Sequence, residues 1–157
     1  MSYEIQIVSI EGNIGSGKST LLANLKKHFN DNTNPYVNIV FLKEPVDEWM
    51  KIKDENGATI IEKFYADQNK YSFSFQIMAY ISRLNLLKEA VKSAKNKMDK
   101  IYEKHEDYSV KLKTIIITER SLFTDKMVFA KMLYDSGKIE SINYQIYLNW
   151  FDSFVDE

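Results

Sequence analysis

The stretch Gly12-Asn13-Ile14-Gly15-Ser16-Gly17-Lys18-Ser19, followed by Thr20, has the spacing G-x-x-x-x-G-K-[ST] of a phosphate-binding loop. Each residue type has a physical task there. Gly12, Gly15 and Gly17 allow positive φ and a close approach of backbone to phosphate oxygens. The N–H groups of the loop, through Ser19 and Thr20, form a concave anion site at the start of a helix. Lys18 carries a point charge to the β- and γ-phosphates, and Ser19 offers a hydroxyl to Mg²⁺. ATP, or another nucleoside triphosphate, together with Mg²⁺ is the cofactor set this pattern calls for.

Three other groups could do chemistry. Glu44 follows the apolar run Val37 to Leu42 and precedes Pro45. It is either a solvated loop acid or, beside a phosphate loop, a general base or metal partner. Glu119-Arg120-Ser121 follows the β-branched run Thr114-Ile115-Ile116-Ile117-Thr118. An acid at the end of such a strand has the placement that holds Mg²⁺ in phosphate-loop enzymes. Arg120 beside it could neutralise charge on a transferring phosphoryl group, or the two could simply anchor the loop. Gln76, Ala79 and Arg83 fall at i, i+3 and i+7 and share one helix face, with Phe75 and Tyr80 nearby. An amide beside aromatic rings suits the edge and face of a nucleobase, and equally suits a buried structural Gln. Asp125 and Phe129 form a similar i, i+4 pair.

These residues need elements to carry them. Tyr3 to Ile10 is β-branched-rich and reads as a strand leading into the phosphate loop. Leu21, Leu22, Leu25 and Phe29 recur at helical spacing, predicting a helix from about Lys18 to Phe29. The cluster Asp31-Asn32-Thr33-Asn34-Pro35 ends it. Val37 to Leu42 is a second strand, stopped by Pro45. Asn56-Gly57 marks a turn, and Ile60, Ile61, Phe64 and Tyr65 resume helical spacing. A long helix is expected from Tyr71 to about His105, apolar in its first half and a solvated, Lys-rich stretch from Lys88 onward. Thr114 to Thr118 reads as a fully buried parallel strand. A helix from about Phe123 to Tyr134 closes at Ser136-Gly137, and a last helix opens on Ser141 as N-cap. His28 and His105 have no partner signal and are expected on the surface. The methionines and the Trp150/Phe154 stripe read as core or interface packing.

Strand, helix, strand, helices, strand, helices indicates parallel strands joined by helical crossovers. Glu44 and Glu119-Arg120 then lie at the carboxyl ends of strands, as the phosphate loop does, which is where ligands bind in open α/β sheets. The 157 residues carry a net charge of −1 and no cysteine. A nucleic acid polymer is therefore not an expected partner, and disulfides and Cys-based metal or nucleophile sites are excluded. No apolar run is long enough to span a bilayer. Nor does Met1 to Gln6 resemble a signal peptide, so a cytoplasmic location is expected.

Taken together the motifs resemble the deoxyribonucleoside kinase family, in particular its deoxycytidine and deoxyguanosine kinases. The resemblance runs from Ile10 to about Phe154. It rests on Glu11 to Thr20, on Glu44-Pro45-Val46 with Trp49, and on Tyr71-Ser72-Phe73-Ser74-Phe75-Gln76 with Ser82-Arg83. It continues through Glu119-Arg120-Ser121 with Asp125 and Phe129-Ala130, and Tyr144-Gln145 with Trp150. The fold it implies is a phosphate-loop NTPase-like, three-layer α/β/α single domain over residues 1–157, with a parallel sheet of which three strands are visible. It implies ATP-dependent phosphorylation of a deoxyribonucleoside 5′-hydroxyl. By the same resemblance Glu44 is the base for that hydroxyl, Tyr65 contacts the 3′-hydroxyl, and Gln76 pairs with the base edge. Trp49, Phe64, Phe75 and Phe129 belong to the nucleoside pocket. Arg120 sits near the phosphoryl group, and Glu119 with Ser19 near Mg²⁺. Ala79 with the pair Arg83 and Asp125 favours deoxycytidine or a purine deoxynucleoside over thymidine. A homodimer through the last helices is implied as well. Members of the family continue with further strands and an Arg-rich lid that this chain lacks after Phe154, so a chain incomplete at its C-terminus is expected. Two other readings follow from the same loop: a nucleoside monophosphate kinase, whose acceptor phosphate Glu44 would repel, and a truncated, non-catalytic nucleotide-binding module.

Overall fold

A computed structural model describes residues 3–29, 34, 36–104 and 111–155. His105, and the 31–35 turn cluster apart from Asn34, lie outside the described residues. The elements run β1 (Tyr3–Ile10), α1 (Lys18–Phe29), β2 (Val37–Leu42), α2 (Val46–Trp49), α3 (Ile60–Ala66), α4 (Gln68–Lys104) and β3 (Leu112–Glu119). Then come α5 (Leu122–Thr124), a π-helical segment (Asp125–Ala130), α6 (Lys131–Asp135) and α7 (Ser141–Val155). No helix among the described residues is long and apolar enough to cross a membrane. The chain forms two compact units, one of residues 1–44 with 85–121 and one of residues 45–84 with 122–157.

The first unit is α/β. Its sheet has three strands in the order β1-β3-β2, all parallel. The register pairs Ile7 with Ile116 and Val40 with Ile116, so the β-branched centre of β3 is flanked on both sides. This is the parallel sheet expected of the sequence, with helical crossovers between sequential strands. Leu112, Thr114 and Ile116 are buried on one face of β3, while Thr118 and the odd-numbered positions between Lys113 and Ile117 are half-buried. The strand is thus closed on one face rather than fully buried. The closing element is the Lys-rich half of α4. Ala90, Ala94, Met98 and Tyr102 recur every fourth residue and are buried. Ala94, Met98 and Tyr102 pack with Leu112 and Ile5. The solvated-stretch expectation therefore describes only the outer faces of that half-helix. Small and apolar residues, spaced between the lysines, make an inner stripe too narrow to stand out against the charge.

The second unit is helical. Tyr80, Leu84, Ala130, Tyr147 and Phe151 make its main core cluster, and Phe64, Leu133 and Ile139 a smaller one. Helix α3 starts at a capping box: Thr59 Oγ1 accepts from the Glu62 N–H, and the Glu62 carboxylate accepts from the Thr59 N–H at 2.7 Å. Helix α4 begins at Gln68, three residues before Tyr71. The single helix expected from Phe123 to Tyr134 is one helical run interrupted by the π-helical segment, which shifts the phase between Asp125 and Ala130. Gly137, at φ 71°, follows Ser136, the C-cap of α6, and takes the left-handed conformation there. Ser141 is the first residue of α7 rather than its cap, and its Oγ accepts from the Gln145 side-chain amide at 3.2 Å. Trp150 is 45% exposed, so it lies on the surface of this unit and not in its core.

Burial raises the Tyr147 hydroxyl well above the ordinary tyrosine range, with the Asp125 carboxylate as the next cause. Burial, and then Asp152, also raises Tyr80. A group whose folded pKa is raised stabilises the fold fully below its unfolded pKa, about 10 for tyrosine, and that contribution is lost as the pH climbs above it. The urea midpoint of the wild-type chain is therefore expected to fall between about pH 8 and about pH 11. Tyr147→Phe should show a smaller fall, because a phenyl ring in that position cannot ionise. An equal fall in both would contradict the assignment to Tyr147.

Candidate active site

In the first unit the phosphate loop leaves β1 and enters α1. Gly12 has φ 154°, and a Cβ there would stand 2.7 Å from Ser16 Oγ, so the loop closes on itself only because residue 12 has no side chain. Gly17, at φ 86°, turns the chain into α1, whose Leu21 N–H bonds back to the Gly17 carbonyl at 2.9 Å. The backbone from Asn13 to Ser16 is on the surface. Lys18 is buried and folded under the loop, its Nζ donating to the Asn13 carbonyl at 2.6 Å and to Ser16 Oγ at 3.5 Å. An ammonium held against a glycine-rich loop is suited to a polyphosphate.

The ends of β2 and β3 add three more side chains. Ser19 Oγ donates to Glu119 Oε1 at 2.6 Å, so the two residues expected to attend Mg²⁺ are in direct contact. Arg120 is buried, and its Nε lies 3.9 Å from Glu44 Oε1, the Glu44 side chain being 22% exposed. Among the described residues no cluster of three His, Cys, Asp or Glu could hold a metal. The donors present nevertheless fit magnesium with a triphosphate. That ion keeps oxygen ligands, and in phosphate-loop sites it takes one hydroxyl and one carboxylate from the protein, with phosphates and water supplying the rest.

The second unit gathers the aromatic and amide residues. Phe75 stacks on Phe64 with centroids 4.5 Å apart and meets Trp49 edge-on at 5.6 Å. Trp49 Nε1 donates to Ser82 Oγ at 2.8 Å, which fixes the indole on α4. Gln76, Ala79 and Arg83 are all buried along one face of α4. Arg83 pairs with the buried Asp125 through Nη1 and Oδ1, and its guanidinium lies 5.3 Å from the centre of the Trp49 ring. Among the described residues, Gln76 Oε1 is buried with no hydrogen-bond partner, as are Ser72 Oγ and Tyr147 Oη. Buried polar atoms are rarely left unpaired, so an unpaired amide oxygen beside an aromatic cluster is suited to a polar ligand. Phe129 is half-buried, whereas Tyr65 is 67% exposed with its ring against Phe64 at 5.2 Å.

The sequence profile described as Deoxynucleoside kinase matches residues 8–157. The chain belongs to the deoxynucleoside kinase family. Similar proteins include the probable deoxycytidine kinase of Fowlpox virus (strain NVSL), 33% identical over 152 residues, an alignment covering 95% of this chain and 51% of the viral protein. The deoxycytidine kinase of Homo sapiens is 28% identical over 160 residues, covering 94% and 54%. The mitochondrial deoxyguanosine kinase of Xenopus laevis is 24% identical over 164 residues, covering 98% and 54%. The chain thus spans about half the length of these curated relatives. As a deoxynucleoside kinase family member it carries the α/β, phosphate-loop fold expected of its sequence.

The sequence assigns no role of its own to Ser72, which stands within a motif, or to Tyr147. Ser72 was legible in principle, since it precedes Gln76 by four residues and shares its face. Tyr147 was not, because its neighbour Asp125 is distant in sequence. The sequence likewise assigns no separate role to Glu11 and Thr118, which bond to the backbone around Arg120.

Proposed function

We propose that this deoxynucleoside kinase family member transfers the γ-phosphoryl group of ATP, or of another nucleoside triphosphate, to the 5′-hydroxyl of a deoxyribonucleoside. The pairing of Glu44 with Arg120, at strand ends that share an edge with the phosphate loop, is the observation that supports it most. In this reading Glu44 takes the proton of the 5′-hydroxyl as the oxygen bonds to Pγ and the bond from Pγ to the bridging oxygen breaks, releasing the nucleoside diphosphate. Lys18 and Arg120 stabilise the charge that spreads over the phosphoryl oxygens. Ser19 and Glu119 would hold Mg²⁺, which when bound offsets phosphate charge. Trp49, Phe64, Phe75 and Phe129 would form the walls around the base, Gln76 would bond its edge, and Tyr65 would meet the sugar.

Deoxycytidine or a purine deoxynucleoside is the favoured substrate, because Ala79 leaves room and Arg83 with Asp125 offers a fixed donor and acceptor set. A panel of nucleosides with radiolabelled ATP and Mg²⁺, using Lys18→Ala as the blank, tests this. Deoxycytidine, deoxyadenosine or deoxyguanosine should be labelled faster than thymidine. Faster labelling of thymidine would overturn the specificity, and faster labelling of deoxycytidine monophosphate than of deoxycytidine would overturn the acceptor.

The same reading includes a homodimer formed through α7. Ile142, Ile146, Trp150 and Phe154 recur every fourth residue on that helix and all are exposed, an apolar stripe of the kind that marks an interface. Sedimentation should show a dimer that Trp150→Glu converts to monomer. A wild-type chain sedimenting as a monomer across the micromolar range would remove the dimer from the account.

A further inference from the structure

Arg120 has φ 67° and is the only non-glycine residue with positive φ among those described. A long side chain in that region costs about 1–2 kcal/mol, and such a conformation persists only where its surroundings over-determine it. Hydrogen bonds fix the backbone on both sides of it. The Arg120 N–H donates to the Ile10 carbonyl at 3.1 Å, which any residue at position 10 would accept. The Thr118 hydroxyl donates to the Arg120 carbonyl at 2.9 Å. The Ser121 N–H donates to Glu11 Oε1 at 2.9 Å. The last two depend on side chains. Glu11 immediately precedes the phosphate loop, at a position its G-x-x-x-x-G-K-[ST] spacing leaves open, and its carboxylate makes the bond a charge-assisted one. Thr118 pairs with Leu42 of β2 and Ser9 of β1 in the sheet register, so its backbone is fixed while its hydroxyl reaches two residues ahead.

We propose that Glu11 and Thr118 are positioning residues for Arg120. They clamp the peptide units on either side of its left-handed turn, and so hold its guanidinium at the Glu44 carboxylate. Neither touches the substrate in this account. The turn would otherwise relax toward negative φ, which redirects the Cα–Cβ bond and carries the guanidinium away from Glu44. The inference rests on the phosphoryl-transfer reading for its effect on turnover, but not for the geometry of the clamp.

Both parts can be measured. Glu11→Ala and Thr118→Val should each lower kcat roughly 3- to 10-fold, the worth of one such hydrogen bond, with little change in KM for either substrate. Glu11→Gln returns an acceptor oxygen and should recover the turnover lost in Glu11→Ala. In an Arg120→Ala background, adding Glu11→Ala should cost nothing further. Equal losses with and without the guanidinium, or a Glu11→Gln variant as slow as Glu11→Ala, would overturn the proposal. Nuclear magnetic resonance gives an arm independent of activity. The Ser121 amide should exchange slowly in wild type and Glu11→Gln and fast in Glu11→Ala. The Arg120 Nε–H signal should shift in the same direction in Glu11→Ala as in Glu44→Gln. If wild type turns over no nucleoside while these signals behave as stated, the functional reading fails and the clamp stands. If the Ser121 amide or the Arg120 signal ignores Glu11→Ala, the clamp fails.

Discussion

A Glu44→Gln variant is expected to lose turnover by about 10²–10⁴-fold, the usual contribution of a positioned general base, while binding ATP with Mg²⁺ as tightly as wild type. The exchange keeps the size of the side chain and one carbonyl oxygen, but removes the capacity to accept a proton. Glu44 lies past the end of β2, partly exposed, with Arg120 as a close cationic neighbour. In the proposed reading the carboxylate bonds the incoming hydroxyl and takes its proton. The phosphate loop draws its fold from Gly12, Gly17 and Lys18. Chemistry and triphosphate binding should therefore separate, read as kcat in a coupled assay and as affinity by calorimetry. Parallel losses in both would mean that Glu44 supports the loop rather than the acceptor.

The second large effect is on stability. Asp125→Ala should destabilise the chain by about 3–5 kcal/mol, the cost of leaving one buried charge without its partner. Arg83 is 9% exposed and Asp125 2% exposed. Removing the carboxylate takes away the buried counter-charge of this guanidinium, and the cation–π contact with the Trp49 ring, worth about 0.5–2 kcal/mol, does not make up the difference. Exchanging both partners for apolar residues of similar volume, Arg83→Met with Asp125→Leu, should recover most of the loss. It should also abolish discrimination among nucleosides, if the pair reads the base. Urea unfolding of the single and double variants checks the first statement and the nucleoside panel the second. A double variant as unstable as Asp125→Ala would show that the pair is not what holds this part of the helical unit.

The contrast between these two residues shows what the sequence made legible. Glu44 could be placed because its position is set locally: an apolar run, an acid and a proline bring it to the end of a strand. The phosphate loop was legible for the same reason, since β1, the glycines and α1 are contiguous. By spacing alone Asp125 was visible only as a weak pair with Phe129, and its pairing with Arg83 came from the family resemblance. Its partner Arg83 lies 42 residues away, and the π-helical segment that carries it breaks the 3.6-residue period on which helix reading depends. The inner stripe of α4 was hidden by composition, because alanines spaced between lysines give little apolar contrast. The left-handed turn at Arg120 had no local signal at all. Nothing in Glu-Arg-Ser predicts positive φ, which comes from bonds to Ile10, Glu11 and Thr118.

The central claim is that the acceptor is a nucleoside 5′-hydroxyl. A single-turnover reaction of this chain in excess over radiolabelled ATP, with Mg²⁺ and deoxycytidine or deoxyguanosine, tests it most directly. The account predicts that label appears in the nucleoside 5′-monophosphate with wild type and is slowed at least about 10²-fold in Glu44→Gln. Binding of both ATP and nucleoside by calorimetry with no label transferred, or label passing to a nucleoside monophosphate in preference, would contradict it.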